Sequence, residues 1–264
     1  MNKNTLSFSK KTIRDVDVHS KTILLRADFN VPTDESGKIT SDFRITQTLP
    51  TIEYLLARNC KIVIISHLGR PGGKPDLSFS LSIVAQRLHE LLPEVNIAFA
   101  KDCINDSAHL TVKKARRGEV VILENLRFHP EEELNDPLFA ARLKQVSGAD
   151  YFVQDGFGVV HRPHASTEAI THVLPSVAGL LLEKEVTILE SAMKQPQHPV
   201  VAVVGGAKIS DKIGFIERLL DIADTVLIGG AMANTFFKND GIEIGKSLYE
   251  EDQSKQIAKI LQKA

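Results

Sequence analysis

The chain has 264 residues, 43% hydrophobic and 25% charged, with 32 Lys and Arg against 33 Asp and Glu for a net charge of −1. A chain of this size can bury a sizeable core in one large or two small domains without covalent staples. Its near-zero charge excludes a global field for nucleic acid or an acidic membrane, so any anion site must be local.

Residues 1–18, MNKNTLSFSKKTIRDVDV, lack the apolar core of a secretory leader. The first apolar run is TILL (22–25), followed by RADFN. Ile45, Leu49, Ile52, Leu55 and Leu56 then form a stripe at helical spacing. KIVII (61–65) runs into SHLGRPGG. A second helical stripe joins Leu81, Val84, Ala85, Leu88 and Leu91, with Ser80 as its expected N-cap. Asn105-Asp106-Ser107 matches a glycosylation acceptor, which without a leader is read as chance. VVIL (120–123) precedes ENLRFH. Asp136-Pro137 places a cap and a first-turn proline before Leu138, Phe139, Leu143 and Val146. YFV (151–153) precedes QDGFGVVHRPH.

Residues 176–194, SVAGLLLEKEVTILESAMK, read as one helix, and the prolines of QPQHP (195–199) end it. VVAVV (200–204) leads to GGAKISDK, where Ser210 is expected to cap a helix through Ile213, Ile216, Leu219 and Leu220. TVLI (225–228) leads to GGAMANTF. EEDQSKQIAKILQKA is helix-like.

The runs are β-branched and continuous rather than alternating, which signifies strands buried on both faces of a parallel sheet. Their alternation with helices predicts an α/β fold: a doubly wound, Rossmann-like parallel sheet over residues 1–175, a connecting helix over 176–194, and a second α/β domain over 195–264. Two strands and three helices seldom make an independent α/β domain, so the second unit reads as incomplete.

Ligands of open parallel sheets bind beyond the carboxyl ends of the strands. Each of the first five runs is followed by at least one Arg, His or Lys. Singly, such a residue is an ordinary surface charge; Arg127, for example, could pair with Glu131 or Glu132. Five successive strand ends favour a site for a small polyanion, since arginine donates in planar pairs to phosphate and carboxylate. Gly205-Gly206-Ala207-Lys208 fits a phosphate site, with glycines for close approach, a helix N-terminus with free N–H groups, and Lys208 and Lys212 on one side. Gly241 to Ser247 imitates a phosphate-binding loop but has three residues between its glycines where four are needed. Gly156-Phe-Gly158-Val-Val-His161 lacks the third glycine of a dinucleotide fingerprint. Cys60 and Cys103 stand in no CxxC or Cys/His spacing, which argues against a disulfide framework or a zinc site and for a reducing cytoplasm.

The segments RADFNVP, SDFRI, SHLGRP, ENLRFHPEE, DGFGVVHRPHAS, AGLLLEKE, VVGGAKISDKI and GGAMANTF together resemble the phosphoglycerate kinase family, in its order and over nearly the whole chain. The resemblance implies reversible phosphoryl transfer from 1,3-bisphosphoglycerate to ADP, giving 3-phosphoglycerate and ATP. It implies that Asp28 and Asn30 contact the glycerate, and that Arg44, His67, Arg70, Arg127 and Arg162 form a basic patch for its phosphate and carboxylate. It places Gly205, Gly206, Ala207, Lys208, Lys212, Gly229 and Gly230 at the nucleotide, with Arg44, Lys208 and Lys212 as the catalytic cations. Magnesium would arrive with ADP or ATP, with no metal site among the protein's own residues. A cytoplasmic monomer without nucleic-acid or membrane partners is the matching expectation.

The family continues with further strands, a ribose-contacting glutamate, a late glycine-rich loop and a tail. Smaller departures are Ala231, Val159, Val160 and Pro163. The 264 residues are therefore expected to bind 3-phosphoglycerate weakly and to turn over poorly or not at all. A non-catalytic anion-binding module derived from the family is the competing expectation.

Overall fold

The structure is a computed structural model that describes residues 8–264. The reading of the N-terminus as leaderless falls partly on residues 1–7, outside the described residues. Strands β1 (Thr22–Arg26), β2 (Lys61–Ile65), β3 (Ile97–Ala100), β4 (Val120–Leu123), β5 (Tyr151–Gln154) and β6 (Ser176–Ala178) form one sheet in the order β3-β4-β2-β1-β5-β6. Every pairing in it is parallel.

The continuous apolar runs divide between two faces because strand side chains alternate. Ile23, Leu25, Ile62, Ile64, Val120 and Ile122 pack with Ile45, Ile52 and Leu55 of α1 (Phe43–Leu56) and with Val84 and Leu88 of α2 (Ser82–Leu91). Leu24, Val63, Ile65, Val121 and Leu123 pack on the other face, against Ala108 and Val112 of α3 (Asp106–Lys114). Short α4 (Pro130–Glu133) precedes α5 (Pro137–Ser147), whose Phe139, Leu143 and Val146 complete that second layer. This is the doubly wound arrangement expected from the sequence. A one-residue slip would exchange the two layers, so burial fixes the register that sets Leu24 beside Val63 and Phe152.

Local signals are partly corrected. Asp136 caps α5 as expected, accepting from the N–H groups of Leu138 and Phe139 at 2.7 and 2.8 Å, with Pro137 in the first turn. Ser80 does not cap α2: a 3₁₀ turn occupies Leu77–Phe79, Leu81 holds the cap position, and the Ser80 hydroxyl donates to Glu124 at 2.7 Å. Strand β3 and helix α3 had no sequence prediction. Asn105, noted only as a chance acceptor site, caps α3 by accepting from Ala108 N–H at 2.9 Å. The helix expected from residue 176 starts instead at Leu180, because 176–178 add to β5 as β6.

Helix α6 (Leu180–Lys194) ends where QPQHP begins, as expected. The chain divides into two compact units within α6, the first running through Thr187 and the second spanning Ile188–Ala264. In the second, β7 (Val201–Gly205) pairs in parallel with β8 (Thr225–Gly229). Helices α7 (Ile213–Leu220), α8 (Ala231–Asn239) and α9 (Ser254–Lys263) enclose a core of Val204, Ile209, Ile216, Leu219, Met232, Ile257 and Ile260.

Candidate functional site

Strand β1 lies between β2 and β5, so the chain winds away from it in opposite directions and leaves a crevice at the carboxyl ends. A cleft of about 310 Å³ opens there, lined by Asp28, Asn30, Arg44, His67, Gly69, Arg70, Arg127, Gly158, Val159 and Arg162. All seven residues assigned from the sequence to the glycerate ligand meet in it. They come from the ends of β1, β2, β4 and β5 and from the first turn of α1.

The loops are pinned from within. The Asn30 carboxamide oxygen accepts from Gly69 N–H at 2.8 Å. Arg127 donates through Nη1 to Gly69 O at 2.8 Å, and its Nε lies 3.0 Å from Glu133, not from Glu131 or Glu132. Fully buried Asn125 donates to Leu68 O and Phe79 O at 2.7 and 2.9 Å and accepts from Arg127 N–H at 3.0 Å. Buried Glu124 accepts from Ser80 and from the N–H groups of Leu81 and Asn125. Ser66 accepts from Phe29 N–H at 2.8 Å, tying the β1 loop to β2. Asp28, the single carboxylate lining the cleft among the described residues, accepts from Arg44. A Cβ on Gly158 would stand 2.5 Å from the Asp28 carboxylate, so only glycine leaves that pair in place.

Beneath the cleft lies a second cationic layer. Arg26 is 1% exposed and donates through Nε to Ser166 Oγ at 2.9 Å and through Nη1 to Ala27 O at 2.7 Å. Ser166 in turn donates to buried Glu132 at 2.5 Å. Burial lowers the Arg26 pKa, opposed by the charges of Glu132 and Asp28. Burial, then the charges of Arg26, Arg127, Arg44 and Arg162, push the pKa of His67 down to about 2. The imidazole is therefore a neutral hydrogen-bonding group. Arg26, Ser66, Glu124, Asn125 and Ser166 were not singled out from the sequence, and Glu132 only as a surface partner for Arg127, because nothing in the sequence marks a polar residue as buried.

Asp155, just past β5, accepts from the N–H groups of Leu181 and Leu182 at 2.9 and 3.2 Å and so caps α6. Its other carboxylate oxygen is buried without a partner among the described residues, and burial raises its pKa to about 6.

In the second unit, Gly205 and Gly229 sit opposite one another at the ends of β7 and β8. Gly230 has φ 69°, and a Cβ there would lie 3.1 Å from Gly206 O. A Cβ on Gly206 would lie 2.9 Å from Lys212 Cε, so the Lys212 stem rests on that glycine. Ala207 and Lys208 are exposed at the same edge. One expectation is corrected: Ser210 begins a 3₁₀ turn, α7 starts only at Ile213, and Ser210 does not cap it. The N–H groups of Ile209 and Ser210 are not free but donate to Glu250 at 2.8 and 3.1 Å.

A doubly wound parallel sheet with cations gathered at its switch point defines an α/β protein with a cationic cleft at the carboxyl ends of its strands. The chain belongs to the phosphoglycerate kinase family, whose model, described as "Phosphoglycerate kinase", matches residues 13–264. Phosphoglycerate kinase of Pelotomaculum thermopropionicum is 49% identical over 256 residues, 97% of this chain and 64% of that protein. The Chloroflexus aggregans protein of the same name is 51% identical over 257 residues, again 97% and 64%. The solved phosphoglycerate kinase of Coxiella burnetii superposes with a TM-score of 0.79 at 38% identity, covering 96% of this chain and 63% of that one. The chain thus spans about 64% of the length of these curated relatives. Among the described residues, no helix is long and apolar enough to cross a membrane.

Proposed function

We propose that this chain carries the glycerate-binding cleft and part of the nucleotide site of a phosphoglycerate kinase, which transfers a phosphoryl group reversibly from 1,3-bisphosphoglycerate to ADP. The convergence of Asp28, Asn30, Arg44, His67, Arg70, Arg127 and Arg162 on one cleft supports this reading most directly.

The chemistry suits these side chains. The bond between the acyl oxygen and phosphorus breaks, a phosphate oxygen of ADP bonds to that phosphorus, and the carboxylate of 3-phosphoglycerate leaves. Both attacking and leaving oxygens are already deprotonated at neutral pH, so no general base is required. Positioning and compensation of charge on the transferring group carry the rate. Arg70, Arg127 and Arg162 would hold the anionic ends of the glycerate. Asp28 can accept from its hydroxyl, and the amide hydrogens of Asn30 stay available because its oxygen is engaged by Gly69. Arg44 is half-exposed and held by Asp28, ready to exchange that partner for phosphoryl oxygens.

The glycine-lined edge of β7 and β8, with Lys208 and Lys212 beside it, fits the phosphates of a nucleotide. Magnesium bound with the nucleotide supplies further neutralisation of phosphate charge. Cytoplasmic placement and a monomeric state are part of the same proposal.

Calorimetric titration with 3-phosphoglycerate, glycerate and inorganic phosphate tests the reading. We expect 1:1 binding of 3-phosphoglycerate that is tighter than either fragment and weakens with salt. Equal affinity for 3-phosphoglycerate and phosphate would overturn it.

A further inference from the structure

We propose that Asp102, Cys103 and His129 form a zinc-binding site, separate from the arginine-lined cleft, that clamps the loop after β3 to the loop after β4. One donor atom from each residue lies within 4.8 Å of the other two.

The Asp102–His129 pair is the informative part. Asp102 Oδ2 stands 3.5 Å from His129 Nε2, beyond the usual 2.7–3.2 Å of an N–H···O bond. Two ligands of one tetrahedral zinc ion, at ordinary Zn–N and Zn–O lengths, stand about 3.4 Å apart. The pair is therefore poorly spaced to bond directly and well spaced to share an ion. Asp102 is held for that role: its Oδ1 accepts from the N–H groups of Ile104 and Asn105 at 2.8 and 3.1 Å, which leaves Oδ2 directed at His129. The His129 ring is braced against Phe139, with centroids 5.6 Å apart.

Cys103 supplies the third donor. It is fully buried. Its Sγ is the one soft donor of the three. Sγ lies within 4.8 Å of both other donor atoms, close enough to join them on one ion with a small adjustment. Zinc binding releases the thiol proton to solvent and forms a Zn–S bond. One thiolate, one carboxylate and one neutral imidazole then balance the two charges of the metal. The Asp102 and His129 side chains are 25% and 23% exposed, so a water molecule can complete the tetrahedron and the ion can enter from solvent. The softness of the donor set favours zinc over magnesium or calcium.

The untagged chain, stripped with a chelator, is titrated with Co²⁺ and then Zn²⁺. One equivalent of Co²⁺ is expected to give a near-ultraviolet thiolate-to-cobalt band, abolished when Zn²⁺ displaces it, with about one proton released per metal. Cys103→Ser should lose the band. His129→Gln, at a partly exposed position with little effect on folding, should weaken binding at least about tenfold. Cys60→Ser should leave both unchanged. Absence of saturation below about 0.1 mM metal, or a band that survives Cys103→Ser, would overturn the proposal.

Discussion

Arg26 Nη2 lies 3.3 Å from His67 Nδ1. A guanidinium has no acceptor, so Nδ1 must accept and the imidazole proton must sit on Nε2. The buried arginine thus selects both the charge and the tautomer of a cleft residue.

From this relationship, nitrogen NMR should find His67 neutral and protonated on Nε2 from about pH 5 to 8. The linkage has a definite sign. The folded pKa, about 2, lies below the ordinary imidazole value of 6.5, so the unfolded chain binds more protons between those values. Stability from His67 is complete above pH 6.5 and declines as the pH falls toward 2. His67→Gln should flatten that acid limb in urea titrations. A His67 resonance titrating near 6.5 would contradict this.

Asp155 has the opposite sign. Its folded pKa is raised from 3.8 to about 6, so folding binds a proton and stability is lost as the pH rises through this window. Asp155→Asn retains an acceptor for Leu181 and Leu182 and removes the buried charge. The variant should gain on the order of 2–3 kcal/mol relative to wild type between pH 4 and pH 8. Denaturant midpoints at the two pH values measure this, and parallel shifts for both proteins would refute it.

Asn125 joins three backbone groups from two loops beneath the cleft. Asn125→Ala leaves those groups buried and unpaired, which should cost about 2–4 kcal/mol of unfolding free energy. Because one of them is the amide of Arg127, 3-phosphoglycerate affinity should fall as well. Stability loss with unchanged affinity would show that the two loops keep their places without it.

Arg44 distinguishes ground-state binding from transition-state stabilisation. In a full-length family member carrying the same residue, Arg44→Ala should lower kcat by about 10²–10³-fold while changing 3-phosphoglycerate binding by less than about tenfold. Equal losses in both would make Arg44 a binding residue only.

The sequence was most readable where physics is local. Continuous β-branched runs marked the interior strands, and cations just past them marked the cleft, because parallel strands expose only their ends. Edge strands were less readable. IAFA of β3 is mostly half-buried and lacks a β-branched run, and the three residues of β6 merge into the helical pattern of α6. Ser210 failed as a cap because Glu250, from a later loop, takes the amides that a local reading leaves open. Arg26, Glu132, Ser166 and Asn125 carry polar side chains whose burial follows from tertiary packing alone. The spacing argument against a metal site addressed neighbours along the chain, whereas Cys103 and His129 are brought together by adjacent strands.

Strand β1 acquires its second neighbour only when residues 151–154 arrive. During synthesis from the N-terminus, one edge of this strand, with its apolar Ile23, Leu24 and Leu25, has no native partner until most of the first unit has emerged. Until then it is a template for mispairing with another nascent chain. The cation-lined crevice is the seam closed by that late pairing. Binding competence and relief from this hazard therefore arrive in the same step of folding.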